Sequence, residues 1–183
     1  SHAYSPEAIR LAVDHGVRCI EHGNLIDDAA AAHLATLGVT MVPTLITYRA
    51  MDELGAKMGI PRRSLEKNRG VFAAGQHSIE VARRAGVELG FGTDLLGEAQ
   101  PQQNQEFLIR AELEPAVDVL HSMYVVNPRL CGLEGQVGVV QPGAYADLLV
   151  SEVDPIEDLP GLADPGANLS AIIRGGEVVK RVI

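Results

Sequence analysis

Helical segments alternate with short apolar segments along the first 94 residues, and this order constrains the fold more than any other feature of the sequence. The helical patterns share a Ser, Asp or Pro at the start and a glycine at the end, and they cover residues 5–16, 27–38 and 61–86. Each is followed by an apolar run typical of a buried strand, at residues 17–22, 39–45 and 87–92. Such alternation predicts parallel strands joined by right-handed crossovers. It fits part of a (β/α) barrel or part of an open doubly wound sheet.

The composition argues against several classes of function. The formal net charge is −9 and the acidic residues are scattered, which disfavours nucleic acid or an anionic membrane as the main partner. No apolar run reaches the roughly 18 residues of a membrane span, and no helix opens with the Gly-x-Gly-x-x-Gly pattern of dinucleotide sites. Cys19 and Cys131 lie far apart in apolar contexts. We therefore expect buried thiols in a reducing compartment, the cytoplasm.

The pattern of the sequence changes after residue 134. Before it, a Gln-rich loop at 95–104 leads into predicted helices at 105–111 and 115–124. After it come short β runs, at residues 137–140, 146–150, 171–173 and 177–179, and the Gly175-Gly176 pair is typical of a two-residue hairpin turn. The sequence therefore predicts a (β/α) region over residues 1–134 and part of a small β domain over residues 135–183.

Three side chains suited to metal binding or acid–base chemistry stand at the ends of predicted strands: His2, His22 and Asp94. Asp94 ends the apolar run that begins at Val87. Packing explains a carboxylate there poorly, and sites in α/β folds gather at the carboxyl end of the sheet. The alternative is that Asp94 caps the following turn and that each histidine is a structural residue.

The two histidines are separated by one helix and one strand, which places them on neighbouring strands. Neighbouring strands lie about 4.8 Å apart, close enough for two imidazoles to flank one metal ion. Neutral imidazole and carboxylate ligands suit zinc, which lowers the pKa of its bound water to about 7. The other histidines lie in predicted helices, mostly beside polar residues, where surface roles are expected: His15, His33, His77 and His121.

Four stretches together carry a specific resemblance: His-Ala-Tyr-Ser-Pro-Glu-Ala-Ile at 2–9, Ile-Glu-His-Gly-Asn-Leu-Ile-Asp at 20–27, Val-Pro-Thr-Leu at 42–45 and Phe-Gly-Thr-Asp-Leu-Leu-Gly at 91–97. In this order and spacing they resemble the amidohydrolase superfamily, in the branch of imidazolonepropionase-like proteins and prolidase-type Xaa-Pro dipeptidases. The stretch at 138–148 resembles the segment by which that superfamily returns to its β-sandwich domain. The resemblance runs nearly from end to end of the chain.

This resemblance implies a metal-dependent hydrolase on a distorted (β/α)₈ TIM-type barrel, with its site at the C-terminal mouth. By the same resemblance, His2 and His22 are ligands of the more exposed metal ion, and Asp94 binds the other metal and acts as general acid and base. Tyr4 is then placed to hold the α-carboxylate of a substrate through its hydroxyl, with Tyr48 as a second candidate for substrate binding. The implied cofactor is Zn²⁺, one ion or two.

The sequence also departs from the family pattern. The His-x-His pair of the first strand is absent, and so is the lysine of the fourth strand that bridges two metals once carboxylated. Lys57, Lys67 and Lys180 stand in the wrong places to replace it. The chain begins at Ser1 without a preceding strand, so we expect the C-terminal fragment of a longer protein. Alone, an open half-barrel would be unstable, would dimerise, or would need a missing partner.

These observations favour a hydrolase of C–N bonds and, within that class, a dipeptidase of prolidase type. Its partners are then a dipeptide or another small molecule and, in the full-length protein, further copies of itself. One alternative within enzymes is a cyclic amide substrate such as an imidazolone. A second alternative, from a different class, is a non-catalytic truncated barrel half that serves as an assembly module, and the missing ligands favour it for the isolated fragment.

Overall fold

The computed structural model describes residues 1–57 and 59–181 of the chain. They form two compact units, Ser1–Glu106 and Phe107–Ile183. The strands are β1 His2–Ala3, β2 Cys19–His22, β3 Thr40–Val42, β4 Leu148–Ser151, β5 Leu169–Arg174 and β6 Glu177–Arg181. The α-helices are α1 Pro6–Asp14, α2 Asp28–Leu37, α3 Leu45–Leu54, α4 Arg62–Ala85, α5 Glu106–Ala111, α6 Ala116–His121, α7 Asn127–Leu130 and α8 Pro165–Asn168. Short 3₁₀ segments cover Gly97–Gln105 and Leu159–Ala163, and a π turn covers Ser122–Val126.

The first unit contains the predicted parallel sheet, with strand order β1-β2-β3. His2 lies opposite Glu21 and Ala3 opposite His22, while Cys19 lies opposite Thr40. Helices α1 and α2 connect these strands and bury aliphatic side chains, among them Ile9, Val13 and Leu34. The alternation of helix and strand predicted from the sequence is confirmed here.

Two predicted strands of this unit are shorter than expected. The run at 87–92 joins the sheet through a single parallel bridge between Leu89 and Met41, since Gly90 and Gly92 supply no side chains to pack. The run at 39–45 ends as a strand at Val42. The next residue, Pro43, has no N–H for a ladder bond, and Thr44 already occupies the N-cap position of α3.

Local capping chemistry explains where the first helices begin and end. The Ser5 side chain accepts from the Ala8 N–H at the start of α1, and the Asp27 side chain accepts from the Ala30 N–H at the start of α2. Helices α2 and α4 end at Gly38 and Gly86, both in the left-handed conformation that glycine adopts without strain. These boundaries agree with the prediction.

The second unit contains a three-stranded antiparallel sheet in the order β4-β5-β6. The hairpin between β5 and β6 turns at Gly175-Gly176 with positive φ at both residues, as predicted. The prediction of a strand at 137–140 is wrong, because this segment contributes only an isolated bridge between Glu134 and Val137. Cys131 is exposed and Cys19 half-buried, so the expectation that both thiols are buried is also wrong.

The domain boundary after residue 134 stays a prediction. Among the described helices, none is both long and apolar enough to cross a membrane.

Candidate metal centre

The two histidines of the predicted site lie side by side on the neighbouring strands β1 and β2. His2 Nδ1 is 2.6 Å from His22 Nε2, and the ring centroids are 4.8 Å apart. His2 is exposed, whereas His22 is only 3% exposed. The pairing of Ala3 with His22 places the two side chains at the same edge of the sheet.

His22 is the most constrained residue of the group. Its Nδ1 lies 2.8 Å from Thr44 Oγ1, and its Nε2 faces His2 and Asp94. Burial lowers the pKa of His22, and the Asp94 carboxylate only partly opposes this. The imidazole is therefore held towards its neutral form, the form in which a histidine nitrogen can donate a lone pair to a metal ion.

Asp94 completes the cluster, with its Oδ2 4.0 Å from His22 Nε2 and its side chain 43% exposed. Among the described residues, positive φ at a non-glycine position occurs at His22, with φ 75°, and at Asp94, with φ 49°. This conformation is uncommon outside glycine and costs of order 1–3 kcal/mol. Backbone strain is thus concentrated at two of the three candidate ligands, which favours a functional role over a packing role.

A layer of aromatic and amide side chains lies against the histidines. The Tyr4 ring stacks on the His22 ring with centroids 4.8 Å apart and an interplanar angle of 18°. The Tyr48 hydroxyl lies 3.0 Å from the Tyr4 hydroxyl and 3.1 Å from Asn24 Oδ1. A phenol has one proton, so Tyr48 donates to only one of these oxygens at a time.

Tyr48 lies behind Tyr4 rather than at the surface. Its side chain is buried, with 6% of the residue exposed, while Tyr4 is 37% exposed. Burial raises the pKa of Tyr48 far above its ordinary value, the bond to Tyr4 adds to this, and the Thr44 hydroxyl works weakly against it. Of the two predicted substrate-binding tyrosines, the structure therefore exposes Tyr4 and holds Tyr48 beneath it.

Asn24 connects this layer to helix α4. Its Nδ2 donates to the Val71 carbonyl at 3.1 Å, and its Oδ1 receives the Tyr48 hydroxyl. A Cβ built on Gly75 would collide with the Asn24 amide. Gly75 therefore leaves the space that Asn24 occupies, and Asn24 is fixed from two sides.

Sequence reasoning missed Thr44 and Glu106, which both act at the start of α3. Thr44 is the partner of His22, and the Glu106 carboxylate accepts from the Leu45 and Ile46 N–H groups. The Pro43-Thr44 pair could have suggested a helix start. No local signal links Glu106 to a helix that begins 61 residues earlier in the chain.

The donor set of the cluster fits part of a divalent metal site. Two imidazole nitrogens and one carboxylate oxygen are ligand types that zinc accepts. The 2.6 Å between His2 Nδ1 and His22 Nε2 is a hydrogen-bond distance, whereas two nitrogens on one tetrahedral zinc lie roughly 3.3 Å apart. Within the described ranges, no group of three or more His, Cys, Asp or Glu side chains is arranged to hold a metal ion as it stands. A small opening of the histidine pair and further ligands are needed.

The other histidines take part in separate surface contacts. His33 pairs with Asp14 at 2.7 Å, His77 pairs with Glu80 at 3.3 Å, and His15 contacts the Leu11 carbonyl. His77 and His121 are exposed on their helices. None of these contacts involves His2, His22 or Asp94, in line with the surface roles expected from the sequence.

The chain is similar in sequence and in structure to several known proteins. The sequence model of the amidohydrolase family matches residues 1–179. The structure of an amidohydrolase matches with a TM-score of 0.94 and 44% identity, over 100% of this chain and 44% of that chain. A prolidase complexed with N-methylphosphonate-L-proline matches with a TM-score of 0.92 and 44% identity, over 99% of this chain and 44% of that chain. A Xaa-Pro dipeptidase with bound methionine in its active site matches with a TM-score of 0.81 and 27% identity, over 98% of this chain and 44% of that chain.

These matches confirm the resemblance inferred from the sequence motifs. They also confirm the predicted fold class, a mixed α/β fold of the amidohydrolase type that is consistent with half of a TIM-type barrel. The chain spans less than half the length of each of these solved relatives.

Proposed function

Because the chain belongs to the amidohydrolase family, we propose that the protein is a metal-dependent hydrolase of C–N bonds and, within that class, a dipeptidase of prolidase type. The observation that carries the proposal is the convergence of His2, His22 and Asp94 at one edge of the parallel sheet, with positive φ at the last two. The 44% identity to a prolidase that binds a proline phosphonate supports the substrate class.

In this proposal His2 and His22 hold a divalent metal ion through Nδ1 and Nε2. Zinc suits the nitrogen donors, and one or two ions are bound when the remaining ligands are supplied from outside the described residues. A bound divalent ion polarises a carbonyl oxygen and lowers the pKa of water. The Thr44 contact at Nδ1 of His22 orients the ring, as outer partners do in most histidine metal sites.

Asp94 is the proposed general base and acid. Its Oδ2 faces His22 Nε2 at 4.0 Å, and its side chain is open to solvent on the other side. A carboxylate in this position accepts the proton of the attacking water and then delivers it to the leaving nitrogen. Asp94 holds this position with a positive φ of 49°.

Tyr4 is the proposed contact for the α-carboxylate of the substrate. Its ring is fixed by stacking on His22 and its hydroxyl by Tyr48, so its oxygen is held close to the metal ligands. Tyr48 supports this arrangement from beneath, which gives it a role through Tyr4. A dipeptide is thereby bound with its carboxylate at Tyr4 and its amide bond near Asp94.

The proposal extends to the setting in which the enzyme works. Cys19 is half-buried and Cys131 is exposed, and we place the protein in the cytoplasm, where thiols are kept reduced. Its partners are the dipeptide substrate and, in the full-length enzyme, further copies of the same chain.

A second candidate is a non-catalytic assembly module. It is favoured by the absence of a group of three or more metal-binding side chains, among the residues that the structure describes, that could hold an ion as it stands. The two candidates differ in metal content. An intact protein that purifies without stoichiometric metal and gains none on addition of zinc supports the module.

The test of the enzyme proposal is the Asp94→Asn variant of the intact protein, assayed with Xaa-Pro and Xaa-Arg dipeptides and with a cyclic amide. We expect the wild-type protein to prefer a dipeptide and the variant to lose nearly all turnover while it keeps its circular dichroism spectrum. Asp14→Asn is the matched control, because Asp14 also pairs with a histidine, His33, but on the surface. Wild-type turnover in Asp94→Asn would overturn the assignment of Asp94 as general base and acid. A preference of the wild-type protein for the cyclic amide would replace the dipeptide as the proposed substrate.

A further inference from the structure

The N-terminus of helix α3 is capped in an unusual way. Thr44 is the N-cap residue, with φ −137° and ψ 70°, yet its side chain makes no capping hydrogen bond. Threonine at this position ordinarily accepts from an N–H of the first turn, as Ser5 and Asp27 do on α1 and α2. The Thr44 hydroxyl instead lies 2.8 Å from Nδ1 of His22.

The capping task is carried out by Glu106. Its Oε2 accepts from the Ile46 N–H at 2.6 Å, and its Oε1 lies 3.3 Å from the Leu45 nitrogen. The Glu106 side chain is completely buried. Burying a carboxylate is costly unless it is hydrogen-bonded, and an anion at a helix N-terminus is favourable. Glu106 therefore accepts the hydrogen bonds of the Leu45 and Ile46 N–H groups, for which the Thr44 side chain is not an acceptor.

We propose that Thr44 is a positioning residue for His22, and that Glu106 caps α3 in its place so that the Thr44 hydroxyl stays with the imidazole. His22 then donates from Nδ1 to Thr44 Oγ1, and the lone pair on Nε2 points towards His2 and Asp94. That this lone pair binds a metal ion rests on the function proposed above. The position of the ring proton on Nδ1 is independent of that function.

The surroundings of Thr44 keep its side chain in this orientation. A Cβ on Gly92 would lie 3.2 Å from Thr44 Cγ2 and 2.8 Å from Val42 Cγ1. The Thr44 methyl group therefore packs directly against the backbone that leads to Asp94. Because Thr44 is itself buried, its hydroxyl has neighbouring protein groups rather than water as partners.

The first experiment reads the tautomer of His22 in the intact, metal-free protein. Long-range nitrogen–proton NMR spectra distinguish a proton on Nδ1 from one on Nε2. In the wild type we expect the His22 ring proton on Nδ1. Thr44→Val keeps the shape of the side chain but removes the hydroxyl, and it should give a mixture of both tautomers. Thr44→Ser restores the hydroxyl and should restore the proton on Nδ1. Thr40→Val is the matched control, because Thr40 is also a buried threonine but its hydroxyl donates to Glu88, and it should leave the His22 tautomer unchanged.

The second measurement is the zinc dissociation constant, obtained by competition with a chelator. Loss of a hydrogen-bond partner behind a histidine ligand typically weakens metal binding by about 10–100-fold. We expect a loss in this range for Thr44→Val and near-wild-type affinity for Thr44→Ser. A protein that hydrolyses no dipeptide but shows these shifts would overturn the proposed substrate and support the role of Thr44.

Glu106 is tested by a double-mutant cycle on the same zinc constant. In Glu106→Gln one capping oxygen is replaced by an NH₂ group, which cannot accept a hydrogen bond. We then expect the Thr44 hydroxyl to accept from the unsatisfied N–H group of the helix instead. Adding Thr44→Val to the Glu106→Gln protein should then change the zinc dissociation constant little. Glu106→Asp, which keeps the charge but shortens the side chain, is the second variant if Glu106→Gln does not fold. An unchanged tautomer and zinc constant in Thr44→Val, with only a lower melting temperature, would overturn the proposal, as would full additivity in the cycle.

Discussion

Nδ1 of His2 lies 2.6 Å from Nε2 of His22, so two side chains on neighbouring parallel strands share one hydrogen bond. Twenty residues and a complete helix separate them in the sequence. The parallel register places His22 opposite Ala3, one residue along from His2, so both histidines lie near the carboxyl ends of their strands. At this spacing the two rings share one proton, and the nitrogens would have to move apart by roughly 0.7 Å before both could bind the proposed zinc ion.

If His2 and His22 are metal ligands, their substitution should reduce zinc affinity, whereas substitution of a surface histidine should not. In the intact protein, His2→Ala or His22→Ala should weaken zinc binding by more than the roughly 10–100-fold expected from loss of an outer hydrogen-bond partner. His77→Ala is the matched control, since His77 is exposed and pairs only with Glu80 among the contacts described. The measurement is bound zinc after dialysis against a chelator. Equal zinc retention in all three variants would contradict the ligand assignment.

The backbone at His22 predicts that two variants lacking the imidazole differ in stability. At φ 75° asparagine is tolerated, whereas a β-branched residue is strongly disfavoured. His22→Asn and His22→Val should both lose zinc. In addition, the free energy of unfolding of His22→Val should be about 1–2 kcal/mol lower than that of His22→Asn, because valine is more strained in this backbone conformation. Denaturant unfolding of both metal-free variants measures this difference. A valine variant at least as stable as the asparagine variant would show that the backbone relaxes freely at this position.

Local chemistry made much of the first unit predictable from the sequence. Ser5 and Asp27 mark helix starts because a short polar side chain can accept from the first turn, and Gly38 marks a helix end because it takes a left-handed conformation. The placement of His2 beside His22 followed from counting one crossover between strands. These signals act over a few residues or follow from a general rule of topology.

The features that were missed depend on distant contacts. The carboxylate of Glu106 caps a helix 60 residues away from it in the sequence, and nothing near Glu106 indicates that partner. The orientation of the Thr44 hydroxyl is equally invisible, because threonine at a helix start normally serves the helix itself. The burial of Tyr48 and its contact with the Tyr4 hydroxyl cannot be inferred from residue type either.

The buried phenol of Tyr48 predicts a stability effect that depends on pH. Tyr48→Phe leaves Asn24 Oδ1 without its donor, which should lower the free energy of unfolding by about 1–3 kcal/mol near neutral pH. Burial raises the pKa of Tyr48 above its ordinary value of 10.0. The unfolded chain therefore loses the phenolic proton above about pH 10 while the folded protein keeps it.

The sign of this effect follows from proton binding. Stability contributed by neutral Tyr48 is fully present below pH 10 and is lost as the pH rises further, by up to about 1.4 kcal/mol per pH unit. Tyr48→Phe lacks this loss, so the stability gap between wild type and variant should narrow above pH 10. The other tyrosines are common to both proteins and cancel. Urea unfolding at pH 8, 10 and 11 measures the gap, and a gap that stays constant would contradict a neutral, buried phenol.

Two glycines of helix α4 predict opposite effects for the same substitution. Beyond its chain neighbours and its own helix backbone, a Cβ on Gly70 would meet no atom of the described residues within 4 Å. Gly70→Ala should therefore stabilise the protein by about 0.5–1 kcal/mol through helix propensity. A Cβ on Gly75 would collide with the Asn24 amide and lie 2.8 Å from Leu45 Cδ2. Overpacking of this kind costs about 1–3 kcal/mol, so Gly75→Ala should be destabilising in spite of the same gain in propensity.

The glycine pair also separates support of the site from general stability. Asn24 receives the Tyr48 hydroxyl, and Tyr48 in turn holds Tyr4, so displacement of Asn24 by Gly75→Ala should raise the KM for a dipeptide. Gly70→Ala, on the same helix but in open space, should leave KM unchanged. Thermal unfolding and steady-state kinetics of both variants test the two effects together. If Gly75→Ala matches Gly70→Ala in stability and in KM, then helix α4 does not fix Asn24, and the Asn24–Tyr48–Tyr4 chain must be held from the sheet side alone.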